Sequence, residues 1–157
     1  MPPAGVATQL SLRRTDNPLM EKRDQRAQER KDDPVTEQII GACIEVHRLL
    51  GPGLLESAYE QCLCHELAIR EIPFRRQVPL PIVYKDVRID CGYRLDFVVH
   101  EDTVVELKAT DQMSALHIAQ VRTYLRLGGY PVGLLVNFNV PSLRLRLRRL
   151  TPDSLPH

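Results

Sequence analysis

The stretch Tyr93-Arg94-Leu95-Asp96-Phe97-Val98-Val99, then His100-Glu101-Asp102, then Thr103-Val104-Val105-Glu106-Leu107-Lys108-Ala109, sets Asp96, Glu106 and Lys108, with Arg94 at one end, inside two mostly apolar runs. Both runs are rich in strand-forming residues, and Glu101-Asp102 supplies turn-forming positions between them, which predicts two adjacent strands. Leu95, Phe97 and Val99 alternate with Arg94, Asp96 and Val98, and Val105, Leu107 and Ala109 alternate with Glu106 and Lys108. Each strand is expected to have one clean apolar face. If both apolar faces pack on the same core, Asp96, Glu106 and Lys108 share the opposite face, because side chains alternate with period two. Register tests this. A two-residue turn at Glu101-Asp102 would pair Asp96 with Leu107 and split the carboxylates between faces, whereas an odd-length loop or a bulge brings Asp96 level with Lys108. The odd loop or bulge is predicted.

Two carboxylates and a lysine on one face are what metal-assisted phosphodiester cleavage needs. Asp96 and Glu106 would be hard oxygen ligands for Mg²⁺ or Mn²⁺, and the carbonyl of Leu107 can add a third oxygen. Lys108 would orient or help deprotonate the attacking water and offset charge in the transition state. The plainer reading of the same residues is an ion pair on a solvated sheet face.

Upstream of the hairpin, Ile40, Cys43, His47 and Leu50 recur at spacings of three and four, with Thr36 as a cap, and predict a first helix. Gly51-Pro52-Gly53 breaks it. A second helix is expected from about Leu54 to Arg70, with Leu55, Tyr59, Cys62, Leu63, Glu66 and Leu67 on neighbouring turns. Strand-like runs follow at Phe74 to Tyr84, Ile89 to His100 and Thr103 to Ala109, the first made irregular by Pro79 and Pro81. A third helix fits Ser114 to Leu127, stopped by Gly128-Gly129, and two last strands fit Val132 to Phe138 and Leu143 to Leu150. The order α-α-β-β-β-α-β-β describes an α/β fold, a central mixed sheet flanked by helices.

The 157 residues make about one domain at roughly 100 to 200 residues each. Hydrophobic residues at 43% and charged residues at 26% exclude wholesale disorder and a collagen-like fibre. A net charge of +1 leaves any nucleic-acid affinity to local patches. Residues 1 to 34 are expected to be a flexible polar tail, 35 to 151 a single domain, and 152 to 157 a C-terminal tail. The first tail reads as a docking arm or a solvated extension, with a transient charged helix from Met20 to Lys31. With no membrane span and no signal peptide evident, a cytosolic protein is expected, and Cys43, Cys62, Cys64 and Cys91 read as reduced thiols. Cys43 and Cys62 are expected on apolar helix faces, and the spacing of the four matches no paired zinc signature. His65, His100 and His117 are scattered, and no phosphate-binding glycine loop occurs.

Asp96 followed by Glu106-Leu107-Lys108 resembles the D…E-x-K signature of the PD-(D/E)XK nuclease superfamily, whose core order of helix, three strands, helix, strand is similar to the order above. Gly53-Leu54-Leu55-Glu56-Ser57-Ala58-Tyr59 also resembles the motif that names the GxxExxY protein family, a bacterial branch of that superfamily. The resemblance spans about Thr36 to Leu150. It departs from the pattern at one point, where Arg94-Leu95 precedes Asp96 without the usual proline. It implies a Mg²⁺-dependent nuclease-like fold acting on nucleic acid, DNA above all, with Asp96, Glu106 and Lys108 at the active site.

The resemblance also implies that Glu56 approaches the metal from the first core helix; its plainer role is favourable charge near a helix N-terminus. Tyr59 shares its helix face, either holding that carboxylate or packing in the core. Gln120 falls where the superfamily often places a polar residue facing the site, and a plain surface amide fits as well. Arg75, Arg76, Arg94, Arg122 and Arg126 are candidate phosphate contacts. Leu143 to Leu150, alternating Leu and Arg, reads as a nucleic-acid rail or as an edge strand protected by charge. A noncatalytic nucleic-acid-binding or protein-interaction module on the same fold is the alternative function, and a structural subunit that recruits a larger partner is a third. So short a core has little surface for reading sequence, so specificity would fall to a homodimer or partner.

Overall fold

The computed structural model describes residues 34–144 and 146–153. The expected N-terminal tail lies outside the described residues except for Pro34, and the C-terminal tail except for Pro152 and Asp153. Helix α1 (Pro34–Leu50) opens on a proline, which lacks an N–H that a first turn leaves unused. Its buried stripe is Ile39, Ala42, Cys43, Val46 and His47, about one residue round from the expected one, and Leu50 is left exposed. Gly51 ends the helix with a left-handed φ of 66°, its N–H donating to the His47 carbonyl at 2.7 Å. Helix α2 (Glu56–Ile69) buries Tyr59, Leu63 and Leu67, one per turn. Leu55 and Cys62, expected on its apolar face, are exposed instead.

The strands are β1 (Phe74–Pro79), β2 (Ile82–Tyr84), β3 (Val87–Ile89), β4 (Arg94–Val99), β5 (Thr103–Lys108), β6 (Val132–Asn137) and β7 (Arg148–Leu150), with α3 (Ala115–Gly128) between β5 and β6. The main sheet runs β1-β4-β5-β6-β7, with β5 and β6 parallel and the other neighbours antiparallel. A parallel pair needs a long crossover, which α3 supplies. Ser114 caps α3 by accepting the His117 N–H while His117 Nδ1 accepts the Ser114 N–H, and Gly129 closes it at a φ of 68°. Helices cover both faces. Phe97, Val99, Val105, Leu107, Leu134 and Val136 share a core with α1 and α2, whereas Val98, Val104 and Leu135 pack with Val121 and Leu125 of α3. The α/β sandwich is the expected one.

Three expectations need correction. The first two strand runs each split, at Leu80-Pro81 and at Asp90–Tyr93, and the piece between forms a separate hairpin of β2 and β3. Lys85 and Asp86, both at positive φ, make its two-residue turn. The last run is a strand only over Arg148–Leu150, because Arg146 N–H turns back to the Leu143 carbonyl and Leu143 is buried in the core. The apolar face of β4 is also not continuous. Leu95 packs on the α3 side and Phe97 on the α1–α2 side, so alternation breaks at Asp96. Across from it, Gln77 takes a left-handed φ of 48°, and β1 shifts with β4: Phe74 packs on one core and Val78 on the other.

Candidate active site

The loop between β4 and β5 is His100-Glu101-Asp102, since Val99 pairs with Thr103. Its length is odd, as predicted, and His100 and Glu101 both sit at positive φ. The register differs from the expected one by a single pair of residues. Phe97 faces Val105, so one step further Asp96 comes level with Glu106 rather than with Lys108. Parity is preserved, and the two carboxylates come together.

Backbone pairing between β4 and β5 stops at that step, and the carboxylates replace it. Asp96 N–H donates to Glu106 Oε1 at 3.1 Å, and Leu107 N–H donates to Asp96 Oδ2 at 2.9 Å. Each acid is thus held by the main chain of the opposite strand. The remaining oxygen of each takes no protein hydrogen bond among the described residues. In an antiparallel pair the N–H and C=O of one residue point toward the same neighbour, so the Leu107 carbonyl is aimed into the same gap.

Glu106 is buried and Asp96 half-buried. Glu106 is 6% exposed, and burial, reinforced by the Asp96 charge, pushes its carboxyl up to about 8, against the Asp96 N–H and Lys108. Burial likewise raises Asp96 to about 6, with the Leu107 N–H opposing and the charges of Glu60 and Glu56 adding. Desolvation and like charge raise a carboxyl because both disfavour the anion. Lys108 is half-buried at the end of β5 and makes no ion pair among the described residues, yet its charge lowers both acids.

Two hard carboxylates and a carbonyl in the same gap, with Lys108 the one cation among the described residues whose charge lowers both acids, fit a divalent metal. Among the described residues no three His, Cys, Asp or Glu side chains group to hold an ion, so the third protein donor would be the Leu107 carbonyl. Glu56 is exposed in the first turn of α2; its charge reaches both acids, but it does not join them in a ligand group. Glu60, one turn on, is felt more strongly by Asp96. It accepts from Gln77 Nε2 at 2.6 Å and from Arg76 at 3.3 Å. The sequence reading passed over Glu60, although its spacing of four from Glu56 placed it on the same helix face.

Gln120 reaches the site's edge through Tyr124, whose hydroxyl accepts from Gln120 Nε2 at 2.8 Å. Burial and the Glu106 charge raise the Tyr124 phenol. Tyr59 does not hold Glu56. It is buried, stacked on Phe138 at 4.5 Å between ring centres, and its hydroxyl donates to the Gly51 carbonyl at 2.5 Å while accepting the Leu54 N–H at 3.2 Å. Gly53 N–H donates to Asn139 Oδ1 at 3.1 Å. These bonds fix the turn that sets Glu56 at the start of α2, whose preceding residue, Leu55, provides no side-chain cap.

Three of the five arginines are engaged by acids: Arg75 pairs with Glu101 at the far end of the hairpin, Arg76 with Glu60 beside the site, and Arg122 with Asp153 beyond β7. All four cysteines are free, and burial pushes the Cys43 thiol up to about 12, which makes it a poor metal ligand. No helix among the described residues is long and apolar enough to cross a membrane.

Residues 33–150 match the family model described as the PD-(D/E)XK nuclease superfamily. No significant match is found among curated proteins or among solved structures.

Proposed function

The chain belongs to the PD-(D/E)XK nuclease superfamily, and on that footing we propose that it is a metal-dependent nuclease that hydrolyses phosphodiester bonds in DNA. The observation that carries this reading is the paired clasp in which Asp96 and Glu106 each bind the other strand's backbone. Perturbed acids held side by side at a break in a sheet are a recurrent mark of catalytic sites. In the proposed site Asp96, Glu106 and the Leu107 carbonyl would hold Mg²⁺ or Mn²⁺, and the metal would supply Lewis-acid activation of the phosphodiester and of the attacking water. Lys108, as the ammonium whose charge lowers both acids, would orient that water by donating to it, and the water's proton would leave to bulk solvent. Lys108 also offsets charge building on the phosphoryl oxygens. Glu56 and Glu60 add negative field that keeps a cation favourable at the pair, and Gln120 steadies Tyr124 at the rim.

The GxxExxY affiliation is part of the same proposal. It is supported by the use made of the motif's ends: Gly53 is tied to Asn139, and Tyr59 fastens the turn before Glu56. The reading keeps the enzyme in the cytosol and leaves sequence specificity to a dimer or partner.

Calorimetric titration of Mg²⁺ and Mn²⁺ into wild type and Asp96→Ala, with cleavage assays on plasmid, single-stranded, duplex and branched DNA, tests it. Metal binding and cutting by wild type, both lost in the variant, are expected. A wild type that binds no metal and cuts nothing would return the fold to the role of a noncatalytic binding module.

A further inference from the structure

A cavity of about 420 Å³ opens beside the candidate site, lined in part by Asp111, Gln112, Asn137, Asn139, Arg146 and Arg148. It lies at the carboxyl ends of the parallel strands β5 and β6, where ligands of open α/β sheets commonly bind. The two sites are contiguous. Asn137 is the register partner of Lys108, and the Phe138 N–H donates to the Lys108 carbonyl at 2.9 Å.

One wall is fixed by amides that are already engaged. Asn137 Oδ1 accepts the N–H groups of Thr110 and Asn139, and its Nδ2 donates to the Thr110 carbonyl. Asn139 Nδ2 donates to Asp111 Oδ1 at 2.9 Å, so the one acid lining the cavity among the described residues is occupied. Arg146 and Arg148 are exposed and make no ion pair among the described residues. Their backbone is anchored all the same, Arg148 opposite Leu135 in the sheet and Arg146 by its N–H on the Leu143 carbonyl. Two guanidinium groups and one engaged carboxylate lining the same cavity give a local positive field in a chain whose overall charge is only +1. A planar guanidinium is suited to a phosphate diester, which it can grip with two parallel N–H donors.

We propose that this cavity is the track for the strand next to the cleaved bond, with Arg146 and Arg148 holding phosphates that flank the one at Asp96, Glu106 and Lys108. This rests on the nuclease reading above and adds to it the site where the substrate's backbone is held. The arginines contact only flanking phosphates, so they act on binding of a strand and not on the chemistry at a single diester.

The test uses the full chain and three readouts: fluorescence anisotropy of a labelled oligonucleotide in chelator across a salt series, oligonucleotide cleavage with Mn²⁺, and turnover of bis(p-nitrophenyl) phosphate. In R146E/R148E, oligonucleotide affinity is expected to fall about tenfold or more and the salt slope to shrink by about two, roughly 0.9 per lost phosphate contact. Turnover of the small diester should be unchanged. R146K/R148K should recover most of the binding, which separates charge from misfolding, and Arg75→Glu, at the far end of the hairpin, should change affinity less than twofold. Equal affinity and slope in wild type and R146E/R148E overturn the track and leave the nuclease reading standing. Arginine-dependent binding without cleavage of any substrate upholds the track and defeats that reading, and no oligonucleotide binding by wild type overturns both.

Discussion

Replacing Glu106 by Gln should make the metal-free protein more stable at alkaline pH, even though it removes a residue central to the proposed site. The carboxyl titrates near 8 in the fold against an ordinary 4.5, so the folded state binds a proton more tightly than the unfolded one. Stability contributed by this group is therefore present at low pH and lost as pH rises from about 4.5 through about 8. At roughly 1.4 kcal/mol per pH unit the full displacement sets a ceiling of about 5 kcal/mol. Relaxation and water entry discharge part of such a penalty, and the expected gain for the variant is about 2 kcal/mol. Glutamine keeps a carbonyl oxygen for the Asp96 N–H and carries no charge for burial and the Asp96 carboxylate to oppose. Urea unfolding in chelator from pH 4 to pH 9 reads the effect. The two proteins should be nearly equal at pH 4, with the variant pulling ahead toward pH 9. Added Mn²⁺ should reverse the order at pH 8 by stabilising wild type alone. A stability gap that does not vary with pH would refute the reasoning.

Tyr59→Phe should cost about 2 kcal/mol, at roughly 1 kcal/mol for each of the two hydrogen bonds its hydroxyl makes, and should speed amide exchange at Leu54, whose N–H loses its acceptor. Unchanged exchange there would mean that the hydroxyl does not hold the turn. Gln77→Gly and Gln77→Ala both lose the bond to Glu60, so their difference reports the backbone alone. With φ at 48°, the Gly variant should be the more stable by about 1 kcal/mol in urea melts, and equal stability would show that the left-handed conformation costs nothing.

The order of the main-sheet elements and the nearness of the two acids were legible because they rest on local signals. The caps at Ser114 and Gly129, the break at Gly51 and the alternating apolar residues of β5 each announce themselves within a few residues. The parity of the hairpin was legible too, but not its register. The loop His100-Glu101-Asp102 puts a histidine and a glutamate at positive φ, where Gly or Asn would have been the signal. A loop two residues longer would be needed to bring Asp96 level with Lys108. The final run shows the reverse failure. Leu143 to Leu150 alternates strictly, but alternation records which way side chains want to face, not whether a neighbouring strand is within reach. Only Arg148–Leu150 meets β6, across Gly133–Leu135.

The break at Asp96 was invisible for a deeper reason, and it is also what builds the site. An unbroken strand that keeps Leu95, Phe97 and Val99 on one face would carry backbone pairing past Asp96, and Leu107 would spend its N–H and C=O on β4. In the structure β1 and β4 change faces together, at Gln77 and Asp96, because two paired strands can shift in concert without losing register on either side. The shift ends the β4–β5 ladder one step early and frees Leu107. The Asp96 carboxylate then takes the Leu107 N–H, and Glu106 takes the N–H of Asp96. A buried peptide group must find a partner, so two acids become the cheapest repair of the interrupted sheet. The same residues that satisfy the backbone are thereby left desolvated, adjacent and short of positive charge, which is the condition that favours a divalent cation. Sequence periodicity registers apolar residues and their spacing; it has no term for a rule broken on two strands at once, and the site is made of that break.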